Sequence, residues 1–204
     1  MNRSLASAFL VVAAAALLSA CSVTRPAPVR QMYLLEPPPA ATVAPANPKS
    51  ARIGAVTVSA AFQDRVFVVR EADLRFETDF YRQWVVGPGA MIGEATARSL
   101  SQSGVFARVI SPGAPPEADL TIDAFVGEFY ADNRDPKAPA AVLAITYYVT
   151  RADRGLSPVW SKSYAKRAAM TPGSGENYAA AQSRLLGEVL AELARDLAAA
   201  PALR

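Results

Sequence analysis

Cysteine occurs once in this chain, at position 21, and histidine does not occur at all. Those two facts bound the fold before any pattern is read. No disulfide can close a loop, and no thiolate or imidazole set can clip one with zinc, so a folded domain must rest on burial of apolar side chains. The position of the cysteine gives it another use. It follows Asn2-Arg3, a weakly basic start, and the uncharged apolar run from Leu5 to Leu18. A spanning helix needs about 20 such residues, so the run has the length of a signal peptide's apolar region instead. Leu18-Ser19-Ala20-Cys21 then puts small residues before a cut and a cysteine directly after it, as lipoprotein processing requires. Residues 1–20 are expected to be a lipoprotein signal peptide, and Cys21 the site of lipid attachment. Two or three acyl chains hold stably where one is marginal. Ser22 in place of an aspartate favours the outer membrane, with the protein facing the periplasm.

Residues 21–51 read as a tether. Arg25-Pro26-Ala27-Pro28, Pro37-Pro38-Pro39, Pro45 and Pro48 fix φ and remove amide donors, favouring extended, semi-rigid chain. Within it Gln31 to Leu35 is apolar enough to dock as a short strand. The stretch from Cys21 to that strand reaches up to ~28 Å at ~3.1 Å per residue, which keeps the domain close to its membrane.

From Arg52 to Ala199 the periodicity predicts one domain, with residues 200–204 as a tail. Strands are expected at Arg52–Val58, Val66–Arg70 and Val105–Ile110. A helix opens at Gly87-Pro88, with proline in its first turn, and ends at Gly104. Asp119–Tyr130 (with a bulge at Gly127), Ala140–Arg151 and Val159–Met170 form a meander joined by short connections. Leu185, Leu186, Val189, Leu190, Leu193 and Leu197 recur at helical spacing in a last helix, Glu176–Ala199. The expected fold class is α+β: a mostly antiparallel sheet with two helices packed on one face, in a single domain.

Chemistry finds little to stand on. The formal charge is +3, from 21 basic and 18 acidic residues, and no basic run tracks a nucleic-acid backbone. Without histidine there is no Ser-His-Asp or Cys-His set and no His-ligated zinc, and no P-loop is present. Gly87-Pro88-Gly89 with Gly93 lacks the spacing of a dinucleotide fingerprint and is better read as helix punctuation. Asp132-Asn133-Arg134-Asp135 lacks the spacing and glycine of an EF-hand and reads as a polar turn. Asp119 and Asp123 share a strand face and are the one pair from which a carboxylate hydrolase could be built. The expectation is no enzyme, no cofactor and no metal.

The aromatic residues between Phe62 and Trp84 are dense, and Arg65, Arg70, Arg75 and Arg82 are interleaved with them, with no helical or strand period between Arg70 and Trp84. Aromatic residues and arginine dominate binding energy at interfaces. Arg65, Arg70, Tyr81, Arg82 and Trp84 are therefore the candidate partner interface. The competing reading is a loop that covers the core, with Trp84 stapling the first helix to the sheet.

These pieces, in their order, resemble the ABC-type transport auxiliary lipoproteins, the family of paraquat-inducible protein C. The residues that carry the likeness are Cys21, Tyr33-Leu34-Leu35, Ile53–Val58, Gln63-Asp64-Arg65 and Phe67–Arg70. Trp84, Ala118-Asp119-Leu120 with Phe125 and Phe129, and the last helix complete it. Phe62-Gln63 departs from the Tyr-Leu more usual before Asp64. The resemblance implies an outer-membrane auxiliary component that works with an MCE-domain protein, a separate ATPase and a separate permease to move lipid between membranes. It also implies a homo-oligomer, a ring around the MCE exit, and phospholipid contact as an open matter. A structural or assembly lipoprotein that partners an outer-membrane barrel is the alternative.

Overall fold

The structure is a computed structural model that describes residues 29–43, 47–111, 113, 117–155 and 157–203. The signal peptide and Cys21 lie outside the described residues. Among the described residues eight strands run in the order β1 (Gln31–Tyr33), β2 (Asn47–Val58), β3 (Val66–Arg70), β4 (Phe76–Trp84), β5 (Phe106–Ile110), β6 (Leu120–Asp132), β7 (Ala140–Arg151) and β8 (Trp160–Ala169). Helix α1 (Pro88–Ser103) lies between β4 and β5, and α2 (Gly175–Ala199) follows β8.

All eight strands belong to one sheet, and β6 is its axis. Along one edge β6 carries β7 over its whole length, and β8 continues the antiparallel meander. Along the other edge it carries first β2, from Leu120 to Val126, and then β3, at Ala131 and Asp132. Strands β2 and β3 point the same way because the chain leaves the edge after Val58, makes a turn closed by Phe62 N–H on Ser59 O (2.8 Å), and rejoins it at Val66. Both therefore run parallel to β6. Helix α1 returns the chain so that β5 also lies parallel to β2, and β1 lies parallel to β4. The α+β single-domain expectation holds, with one correction: the sheet is mixed, with four parallel and three antiparallel pairings among the described strands. Short-range connections read from sequence reveal hairpins and miss the crossovers.

Both helices cover one face of this sheet and touch each other. The strands alternate accordingly. Leu143, Ile145, Tyr147 and Val149 on β7 are buried beneath the helices, and the intervening residues are only half-buried. Helix α1 has Pro88 where its missing N–H costs nothing, and it ends at Gly104, whose φ of 68° is left-handed and suits glycine. The stripe from Leu185 to Leu197 on α2, Leu190 included, is buried. The register of β6 against β7 shifts between Val126 and Glu128, so Gly127 does sit in a bulge.

Two expected boundaries move. Strand β2 begins at Asn47 rather than Arg52, because Asn47 pairs with Phe106 and its amide donates to Leu203 O at 3.0 Å. The same bond draws in the expected tail, where Leu203 is fully buried. Much of the described tether is likewise docked. Leu35 is buried, Glu36 N–H donates to Ser183 Oγ (3.0 Å), and Val43 N–H donates to Ser103 O (2.9 Å).

Candidate functional site

The segment between Arg70 and Trp84, which shows no period in the sequence, is the second arm of a hairpin. Strand β4 pairs antiparallel with β3 from Arg70↔Phe76 to Phe67↔Asp79, and again at Val66↔Gln83. A single step along β3 is thus matched by four along β4, and Phe80, Tyr81 and Arg82 bulge out of the ladder. The bulge supplies its own hydrogen bonds. Asp79 Oδ1 accepts from the backbone N–H groups of Tyr81 (2.9 Å) and Arg82 (3.0 Å), and the Gln83 amide donates to Phe80 O (3.0 Å). The Arg82 guanidinium lies 3.5 Å from the Asp79 carboxylate. This displaced backbone hides the strand period from sequence; only Asp79, a residue type that bonds its own backbone two and three residues on, signals it.

Bulges re-aim side chains, and this one turns two aromatics to solvent. Phe80 is 55% exposed and Tyr81 44%, their rings edge-to-face at 5.4 Å. The Arg30 guanidinium stands 4.1 Å over Phe80. Tyr81 and Arg82 are therefore neighbours on one exposed feature. Arg70 lies apart, at the hairpin tip, where it donates to Asp73 O (2.7 Å) and lies over the Phe76 ring (5.5 Å). Arg65 donates from Nε to Trp84 O (3.1 Å) and its carbonyl accepts from Trp84 N–H (2.6 Å). The expectation fails for Trp84. Its side chain is 1% exposed, enclosed by Phe67 (4.5 Å), Phe129 (5.3 Å) and Tyr178 (5.6 Å), so it is core and offers a partner nothing. A large ring at the end of β4 beneath α2 gains more by burial than at a rim.

Beside the bulge is a cleft of about 560 Å³ between β4 and the start of α2, lined among others by Glu77, Asp79, Tyr81, Arg82, Met170 and Tyr178. Ser174 closes its far wall as the cap of α2, accepting from Asn177 N–H at 3.1 Å. The β1–β4 pairing covers only Arg82 to Trp84, so among the described residues the outer edge of β4 from Phe76 to Tyr81 has no strand partner. An open strand edge next to a cleft and an aromatic rim can receive an extended segment of another chain. Ala131 and Asn133 of the β6 end line the cleft, and between them Asp132, which does not, is 1% exposed and ion-paired to Arg134 (2.9 Å) and Arg167. The Arg134 hydrogen bonds, then those of Arg167, outweigh its burial and hold its carboxyl well below the usual carboxylate range.

The carboxylates from which a hydrolase could be built do other work. Asp119 accepts from Ser50 N–H (2.8 Å) and Ser50 Oγ (2.7 Å), which lowers its pKa, the opposite of what a general acid needs. Asp123 accepts from Ala55 N–H at 2.8 Å, where β2 shifts register against β6. Among the described residues no group of three or more acidic side chains, with or without other ligand types, is gathered in a way that could hold a metal ion.

Comparison with known proteins agrees with this architecture. The sequence model of the family described as ABC-type transport auxiliary lipoprotein component matches residues 33–194. Protein XCC0632 from Xanthomonas campestris, known from a crystal structure, superposes with a TM-score of 0.70 at 18% identity, over 80% of this chain and 92% of that one. A crystal structure of an uncharacterized protein superposes with a TM-score of 0.65 at 12% identity, over 82% of this chain and 98% of the other. At such identities the likeness speaks for the fold. No curated protein matches the chain.

Proposed function

The chain belongs to the ABC-type transport auxiliary lipoprotein family, and on that premise we propose that it is the outer-membrane member of an MCE-type ABC lipid transport system. In this reading Cys21 carries the lipid, the domain stands in the periplasm, and the ATPase and permease are separate chains. The MCE-domain protein docks on the open edge of β4 and on Phe80, Tyr81 and Arg82, and several copies of this chain surround its exit. The observation that carries the reading is the family match over residues 33–194, which spans the hairpin and the cleft.

The site supports a binding role over a catalytic one. Its groups are aromatic rings, a paired guanidinium and unpaired strand backbone, which hold a partner by burial and main-chain hydrogen bonds. Asp119 and Asp123, the one acidic pair a hydrolase could have used, are bound to backbone N–H groups.

Acyl labelling tests the anchor. The parent chain should incorporate labelled fatty acid and Cys21→Ser should not, leaving an uncut precursor that fails to complement a deletion strain. Normal labelling of Cys21→Ser would remove the anchor from the account. In-cell crosslinking with mass spectrometry of the partners tests the rest: an MCE-domain protein is expected, and a β-barrel alone would point to an assembly lipoprotein.

A further inference from the structure

Leu74 is the most exposed large apolar side chain among the described residues, at 97%. It stands on the tip between β3 and β4, and that tip is well fastened. Glu71 N–H and Ala72 N–H donate to Arg75 O, Arg75 N–H donates back to Ala72 O, and the Arg70 guanidinium donates to Asp73 O. Arg134 ties the tip to the turn between β6 and β7 through Asp73 at 2.8 Å. The fold thus holds a bare leucine away from itself on a braced support.

The direction of β1 says what lies beyond it. Strand β1 runs parallel to β4 with Gln31 opposite Arg82, so the chain before Gln31 heads toward the Phe76 end of β4, where the tip is. Arg30, already stacked over Phe80, keeps to that course. Because of the bulge, β4 from Gln83 to Phe76 advances only as far as Val66–Arg70 of β3, roughly 13 Å at ~3.3 Å per residue, and Leu74 stands just beyond. The stretch between Cys21 and β1 can span up to ~28 Å. A lipid anchor at Cys21 can therefore reach the membrane at the same end of the molecule as the leucine.

We propose that the β3–β4 tip rests on the leaflet that holds the anchor, with Leu74 inserted among the lipid headgroups as a second membrane contact. This rests on the acylation of Cys21 proposed above. At this end Arg75 pairs with Glu77 and Arg134 with Asp73, and Arg70 and Lys137 are balanced in number by Glu71 and Asp135. The contact is apolar rather than electrostatic, and so indifferent to salt and to anionic lipid. Two contacts would fix the tilt of the domain, and with it the direction in which Phe80 and Tyr81 face a partner.

The test uses the full chain, processed and lipidated in a bacterial envelope, then placed in vesicles of phosphatidylethanolamine and phosphatidylglycerol. With Cys21 acylated, Leu74→Cys supplies a single free thiol for an environment-sensitive fluorophore. Arg154→Cys, in the turn after β7 at the opposite end, is the control. The Leu74 probe should shift to the blue and be quenched severalfold by nitroxide-bearing lipid, equally at low and high salt, while the Arg154 probe stays in water. A Leu74 probe that remains in water on vesicles, with Cys21 shown by mass to be acylated, would overturn the proposal and leave the anchor intact. Shielding that appears only when an MCE-domain protein is added would also overturn it, in favour of a protein contact. An unacylated Cys21 would sink the anchor and this contact together.

Discussion

A Cβ built on Gly89 would stand 2.7 Å from the carbonyl oxygen of Val56. The first turn of α1 is thus pressed onto the backbone of β2, and the neighbour that would have to move is main chain rather than a side-chain end. Glycine in a helix costs about 0.5–1 kcal/mol relative to alanine, so propensity alone favours Gly89→Ala. Overpacking against fixed backbone costs about 1–3 kcal/mol and should win. Gly89→Ala is expected to lower the denaturant midpoint with an unchanged slope; a neutral or stabilised variant would mean that the helix can lift off the sheet.

Asp132 gives the fold a sensitivity to acid. Its pKa is lowered in the folded chain, chiefly by Arg134, so its stabilisation is present above the ordinary carboxylate range and is lost as pH falls below it. Asp132→Asn removes two charge-assisted contacts from a buried acceptor and should cost about 1–3 kcal/mol near neutral pH. The parent and the variant should converge in stability as the solution is taken to acid. Equal separation of the two at pH 7 and in strong acid would show that the loss comes from packing.

Much of this architecture can be read from residues alone, and the reasons differ by element. Strand β7 and both helices announce themselves because each buries one regular face, and β3 because it is a short continuous apolar run. The parallel pairings leave no such mark, since Val58 and Val66 bracket an excursion whose return to the same edge of β6 depends on distant partners. Strand β4 is hidden by its bulge at Phe80–Arg82, and Trp84 is misplaced because a buried ring and an interface ring look alike in sequence. Tyr81 and Arg82, by contrast, are adjacent on the bulge, Tyr81 exposed and Arg82 half-buried.

The interface proposal separates binding from folding. Tyr81 is 44% exposed, and Arg82 makes a 3.5 Å pair with Asp79 whose worth is about 0–1 kcal/mol at most. Tyr81→Ala and Arg82→Glu should therefore leave the melting temperature almost unchanged. Both should weaken association with the partner, by ~2 kcal/mol or more if the ring is central to the contact. Unaltered binding by both variants would move the interface away from the bulge.

The most direct measurement is a photo-crosslinking side chain placed at Tyr81 in living cells, with the captured proteins identified by mass spectrometry. The account predicts that an MCE-domain protein is the main adduct and that the same probe at Arg154 does not capture it. Capture of a β-barrel with no MCE-domain protein, or equal yields at the two positions, would contradict it.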